Sequence, residues 1–311
     1  MKEKKNVIWG GAGLILGLCA CLVANLLVNN KIRAEESGNC QIVNHYSNVL
    51  ATPPLPDKMN FCGEAVPLDD YTVREALDRE LTNVCYQHSS TLLCLKRSAR
   101  WFPVIEKILK EEGIPEDMKY LCVAESSLSN AISPAKAVGF WQFLSTTAKS
   151  YGLTVTEEVD ERYDIEKSTR AACNYLKKGK NNLGSWSLAA AGYNMGEGGV
   201  KNSMTKQSQN QYWNLYLNQE TARYVYRILA FKLLFENPET YGVRLNEKDK
   251  YQPVEFEYIA VDSTITSLYT FCQENNMTYK ELKTWNPWLR STKLTVPAGK
   301  SYTIKKPVKR K

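Results

Sequence analysis

The sequence predicts a mainly α-helical body followed by a small α+β module, with one membrane helix ahead of both. Three observations carry this. Apolar residues recur at helical spacing in seven segments between Tyr71 and Asn246, period-two alternation is confined to EFEYIAV and YTIKK near the C-terminal end, and a 22-residue apolar run follows a basic start. Length and composition agree: 311 residues, 43% hydrophobic and 23% charged, suit about two folded domains and exclude a disordered acidic chain, a collagen or a polytopic membrane protein.

Taken in order, Val7 to Val28 is apolar apart from Asn25, and Lys2, Lys4 and Lys5 precede it. The run is long enough to span a bilayer, and the positive flank assigns that end to the cytoplasm, so everything after Asn29 is expected outside. Residues 1–30 are therefore read as a signal anchor or a signal peptide, with Leu18-Cys19-Ala20-Cys21 loosely like a lipobox; the continued apolar run favours the uncleaved anchor. Residues 31–70 are rich in Asn, Ser and Pro and are expected as a spacer. Helices are expected at 73–85, 92–111, 115–126, 143–151, 166–178, 185–193 and 220–235, within a body of 71–246. Pro103 should interrupt the second, and Gly113 with Pro115 should stop one helix and start the next. A polar stretch at 247–253 reads as a linker, 254–306 as a module of strand, helical middle and strand, and 307–311 as a basic tail.

The two histidines, His45 and His88, are far apart and belong to no H-E-x-x-H, so no metal site and no cofactor is expected, and a Ser-His triad is poorly supported. Nine cysteines include Cys19 and Cys21 inside the apolar run. Cys122 and Cys173 fit core positions, while Cys40, Cys62, Cys85 and Cys94 leave bridging open.

Glu125 stands near the end of the helix opened by Pro115, after the core-type positions Met118, Leu121, Cys122 and Val123. Negative charge at a helix C-terminus opposes the macrodipole, and partial burial disfavours the ionised form, so both raise its pKa toward the range of a general acid. A surface carboxylate at a frayed helix end is the competing reading. Asp160, Glu161, Asp164, Glu197 and Glu220 read as solvated or capping charges.

Around Glu125 lie Glu125-Ser126, Ser133, Gly139-Phe140-Trp141-Gln142, Ala191-Gly192-Tyr193-Asn194-Met195-Gly196, the string VDERYDIEKSTRAACNYL from Val159, and Glu220-Thr221-Ala222-Arg223-Tyr224-Val225. In this order they resemble the motifs of the soluble-lytic-transglycosylase family, E-S, G-L-M-Q, A-Y-N and E-T-x-x-Y-V. Phe140 departs from the usual Leu or Ile, and Gly192 from Ala, a change expected to loosen its helix by roughly 1 kcal/mol. The resemblance implies a lysozyme-like helical catalytic domain that cleaves the β-1,4 bond between N-acetylmuramic acid and N-acetylglucosamine in peptidoglycan. Glu125 would be the single acid and then base, and the muramyl 6-hydroxyl would close on C1 to give a 1,6-anhydro end. It also implies substrate-binding roles for the hydroxyls of Ser126 and Ser133, the amides of Gln142 and Asn194, and the phenols of Tyr193 and Tyr224. Trp141 is open between substrate contact and core.

The C-terminal module resembles a lysin motif of βααβ form. Tyr258 to Ile265 stands where that family has Y-x-V-x-x-G-D-T-L, followed by Leu282, Trp285-Asn286-Pro287 and Leu294 to Ile304. The glycine before the Asp-Thr pair is missing. The implied partners are peptidoglycan glycan strands and, through the N-terminal segment, the bacterial membrane; nucleic acid is excluded by compartment, and a monomer is expected. Localisation follows as exported and membrane-anchored, facing the periplasm or cell wall. A lysozyme-type hydrolase on the same fold and an inactive glycan-binding wall tether are the alternatives carried forward.

Overall fold

The computed structural model describes residues 51–308, so the expected membrane segment, the first half of the expected spacer and the end of the basic tail lie outside the described residues. Among the described residues no helix is long and apolar enough to cross a membrane. The body begins with a hairpin of β1 (Met59–Phe61) and β2 (Glu64–Val66), in which Met59 pairs Val66 antiparallel. It continues through α1 (Tyr71–Tyr86), α2 (His88–Glu111), α3 (Lys119–Ser126), α4 (Ser145–Ser150), α5 (Ile165–Leu183), α6 (Trp186–Met195), α7 (Glu197–Gln207) and α8 (Gln219–Glu236). The module follows as β3 (Phe256–Val261), α9 (Leu268–Glu274), α10 (Tyr279–Trp285) and β4 (Tyr302–Pro307), with β3 and β4 antiparallel from Phe256 opposite Pro307 to Val261 opposite Tyr302. This is a mainly helical fold with a βααβ end, as the hydrophobic periods predict.

Local chemistry explains the boundaries. Asp70 caps α1 by accepting from the Thr72 amide at 2.8 Å, and Asp164 Oδ1 caps α5 by accepting from Glu166 and Lys167. Helix α2 ends in a Schellman turn: Gly113 takes φ +66°, its amide bonds the Lys110 carbonyl, and the Ile114 amide reaches the Leu109 carbonyl. Three expectations change. Pro103 does not interrupt α2, whose buried residues on both sides, Leu95 and Ile105 among them, hold the helix together across the missing amide. Pro115 opens a short 3₁₀ turn at Glu116–Met118, and α3 starts only at Lys119. Phe143 pairs with Val138 in an isolated bridge, delaying α4 to Ser145.

Two elements escaped the periodic reading. Helix α7 buries only Val200 and carries Gly198 and Gly199, so it has almost no apolar stripe to detect. The β1–β2 hairpin falls in the segment read as spacer, because three-residue strands give no alternation and the turn uses Cys62-Gly63, both at positive φ, in place of Asn-Gly. Phe61, Val66 and Leu68 are nevertheless buried in the body's core with Leu77, Leu81, Met118, Leu121 and Trp141. The hairpin also stabilises α6. Glu64 accepts from the Trp186 amide (2.6 Å), the Ser187 amide and the Ser187 hydroxyl, placing a carboxylate on the positive end of that helix.

A second core joins the module to the body. Val138, Val159 and Tyr163 cluster with Leu268, Leu282, Trp288, Leu289 and Ile304. Backbone bonds cross the same junction: Asp160 N–H to the Trp288 carbonyl at 2.9 Å and Arg290 N–H to the Glu158 carbonyl at 2.8 Å. Asn286 is fully buried and exchanges two hydrogen bonds with the Lys305 backbone, which accounts for the Trp-Asn-Pro string. Cys62, Cys85, Cys94, Cys122, Cys173 and Cys272 are free thiols, with Cys122 and Cys173 buried as core residues. Replacing Glu64 by Gln weakens the α6 cap, and urea unfolding should show a loss of about 1–2 kcal/mol with an unchanged denaturant slope.

Candidate active site

Helix α3 stops abruptly after Glu125. Ser127 and Leu128 adopt φ +52° and +55°, a left-handed pair that costs non-glycine residues about 1 kcal/mol each. Complete burial of the Leu128 side chain and a 3.0 Å bond from Arg97 Nη1 to the Ser127 carbonyl hold the turn in place. The consequence is a carboxylate at the end of a short helix, half-buried, with its backbone tied on both sides.

Helix α8 supplies its partner. The Tyr224 hydroxyl donates to Glu125 Oε1, from a phenol that is itself buried. Loss of water pushes the Glu125 carboxyl up to about 7. Repulsion from Glu220 acts in the same direction, while the Tyr224 bond and Arg227 oppose it. Glu220, Tyr224 and Arg227 lie at i, i+4 and i+7 and share one face of α8. The register of that helix is pinned by Glu80 on α1, 1% exposed, which meets Arg223 at 2.7 Å, Arg227 at 3.6 Å and Arg79 at 3.1 Å.

Asn194 closes the group from α6. Thr221 Oγ1 donates to its Oδ1 at 2.7 Å, and its Nδ2 donates to Glu220 Oε1 at 3.2 Å. The amide is thus oriented by both of its ends. Tyr193, the preceding residue, donates its hydroxyl to the Trp141 carbonyl at 2.7 Å, and burial next to Glu125 raises its phenol well above the ordinary range. Trp141 is completely buried and its indole donates to Thr169 Oγ1, which assigns it to the core.

The hydroxyls of Ser126 and Ser133 and the Nε2 of Gln142 bond the backbone. Ser126 Oγ bonds the Cys122 carbonyl, Ser133 Oγ accepts from the Ala137 amide, and Gln142 Nε2 bonds the carbonyls of Gly139 and Ala131. These contacts fold the 131–143 loop that follows the acid. Gly139 at φ +86° is required there, because a Cβ would lie 2.0 Å from the Arg162 carbonyl oxygen. Gly192 is tight also: an added Cβ would approach Leu183 Cδ1 to 3.1 Å.

Three residues outside the expected set matter. Glu220, read from sequence as a capping or solvated charge, is exposed yet bonds Asn194 and acts electrostatically on Glu125; its four-residue spacing from Tyr224 is the available signal. Thr221 orients Asn194. Arg162, inside the VDERYD string, forms a buried two-pronged pair with Asp160 at 2.9 and 2.7 Å and donates to the Phe143 carbonyl at 3.1 Å, clamping the Gln142 loop.

The raised Glu125 pKa has a thermodynamic signature. Stability linked to this group is fully present below its unfolded value of about 4.5 and is lost as pH rises through about 7. Thermal unfolding of Glu125→Gln should therefore show a gain of about 1–3 kcal/mol over the parent at pH 8 and none at pH 4.

Comparison with known proteins adds domain content. The family described as "Transglycosylase SLT domain" matches residues 102–216, and "Soluble lytic transglycosylase C-terminal LysM-like domain" matches residues 257–310. Two curated relatives, both called membrane-bound lytic murein transglycosylase D, from Escherichia coli K12 and Escherichia coli O6:H1, are each 30% identical over 261 residues. The aligned region takes in 81% of this chain and 56% of each relative, so the chain spans about half the length of the curated relatives it matches. The first family ends just before α8 supplies Tyr224 to Glu125, and the second covers the βααβ module. The chain therefore carries a transglycosylase SLT domain joined to an LysM-like domain of the soluble lytic transglycosylase type.

Proposed function

We propose that the chain is a peptidoglycan lytic transglycosylase in which Glu125 alone performs the acid and base steps. The observation that carries this reading is a half-buried carboxyl whose pKa is pushed up to about 7 and whose Oε1 is held by Tyr224. A carboxyl of that pKa is substantially protonated near neutrality and can give its proton to the glycosidic oxygen between N-acetylmuramic acid and N-acetylglucosamine. The resulting carboxylate then takes the proton of the muramyl 6-hydroxyl as that oxygen closes on C1. The C1–leaving-group bond breaks, the 1,6-anhydro bond forms, and no water is consumed. Asn194, oriented by Thr221 and Glu220, is suited to an N-acetyl or hydroxyl group of the sugar. Ser126, Ser133, Gln142 and Tyr193 act by shaping the walls around it. The LysM-like module contributes glycan affinity, and the basic and apolar N-terminal sequence exports the chain and anchors it in the membrane.

A lysozyme-type hydrolase would require a second carboxylate that activates water, and Glu220 is the side chain to test for that role. Muropeptide mass spectrometry separates the two chemistries. Digests by the parent protein should carry anhydro-muramyl ends; reducing ends would overturn the transglycosylase assignment. Glu125→Gln should lower kcat by about 10²–10⁴ while sedimentation with sacculi is retained, and unchanged turnover would remove Glu125 from its role.

The pH dependence follows from the same carboxyl: the rate falls as pH rises through about 7, because the acid form is lost. Tyr224→Phe removes the bond that favours ionisation, so the alkaline limb of the pH–rate profile should move to higher pH. The loss of alignment should lower kcat by roughly tenfold with KM little changed.

A further inference from the structure

The body and the module enclose a crevice that the catalytic reading leaves unused. Its walls are aromatic from both sides: Trp101 from α2, and Trp285 at the end of α10 with Phe256 at the start of β3. Trp101 and Trp285 remain half-exposed, although large apolar rings are usually covered by packing. Both are held firmly. Trp101 stands edge-on to Phe140 at 5.1 Å, Trp285 edge-on to Phe256 at 5.1 Å, and the Arg100 guanidinium lies 5.4 Å from the Trp285 ring.

Polar groups line the same space. Asn130, five residues beyond Glu125 on the loop after α3, and Thr284, both exposed, add an amide and a hydroxyl to the lining. Asp164 adds a carboxylate, of which only Oδ1 caps α5. Rigid aromatic faces beside a few amide, hydroxyl and carboxylate groups match a sugar, which has an apolar ring face and a polar edge. The crevice is narrow, with a cavity volume of about 60 Å³, and admits a ring substituent more readily than a whole pyranose ring.

We propose that this crevice is a second glycan subsite: an N-acetylhexosamine ring rests across its mouth on Trp101 and Trp285, and the acetamido group enters between them. The proposal deepens the glycan-active reading of the chain and rests on it. It uses the end of α10, the start of β3 and the face of the body, whereas the lysin-motif resemblance directs glycan to the loop after β3.

Calorimetric titration of the 311-residue Glu125→Gln protein tests this with the β-1,4-linked tetramer of N-acetylglucosamine and its de-N-acetylated counterpart as probes. The N-acetylated tetramer should report a site that Trp285→Ala weakens at least tenfold. Thr284→Trp, which fills the mouth from an exposed position and leaves the core intact, should do the same. The de-N-acetylated tetramer should miss that site. Binding unchanged by both substitutions, or equal binding of both tetramers at the Trp285-sensitive site, overturns the proposal. Turnover by Glu125→Gln would overturn the catalytic reading while leaving this binding result standing, so the two fail separately.

Discussion

The bond between Tyr224 and Glu125 joins residues 99 positions apart and brings the end of one short helix against the face of a long one. It is a constraint as much as an attraction. A carboxyl withdrawn from water is costly to hold near ionisation, and its geometry is only as good as the helix that supports it. Helix α8 gets its position from Glu80, a buried carboxylate with arginines on three sides; leaving those charges unpaired would cost several kcal/mol. The acid is thus placed by an ion cluster that never touches it.

A second line of support runs from the module. The Trp288 carbonyl receives the Asp160 amide, Asp160 grips Arg162, and Arg162 holds the Phe143 carbonyl of the loop that contains Gln142. Glu158 extends the same seam, accepting from the Thr295 amide at 2.8 Å and pairing with Lys293. The module is therefore braced against the segment that shapes one wall of the site. Stability and site geometry share these residues, which is why the VDERYD string carries so many charges in a buried place.

Legibility followed the strength of local patterning. Helices α1, α2, α5, α6 and α8 have apolar stripes, and their spans were readable to within a few residues. Glu125, Tyr224 and Asn194 stand in ordered motifs; Tyr224 bonds Glu125 directly, while Asn194 bonds Glu220, whose charge acts on Glu125. Helix α7 was silent because glycine and polar residues give no stripe, and the hairpin because its turn chemistry is Cys-Gly. For Gln142 and Ser126 the motif names the residue, while tertiary placement, here Gly139 against Arg162, sets the backbone carbonyls that their donors meet. Glu220 looked like an ordinary first-turn acid, and only the packing of α6 beside α8 gives it a partner.

The seam between Glu158 and Thr295 closes a loop of 137 residues. Helical hairpins such as α5 with α6 form from neighbours in sequence, whereas this closure joins segments far apart along the chain. The body can collapse early around its own core, yet the Arg162 clamp receives its final support only when residues 286–296 arrive. Final shaping of the loop that contains Gln142 is accordingly tied to docking of the βααβ module, and a chain without that module would have a formed core without a finished wall.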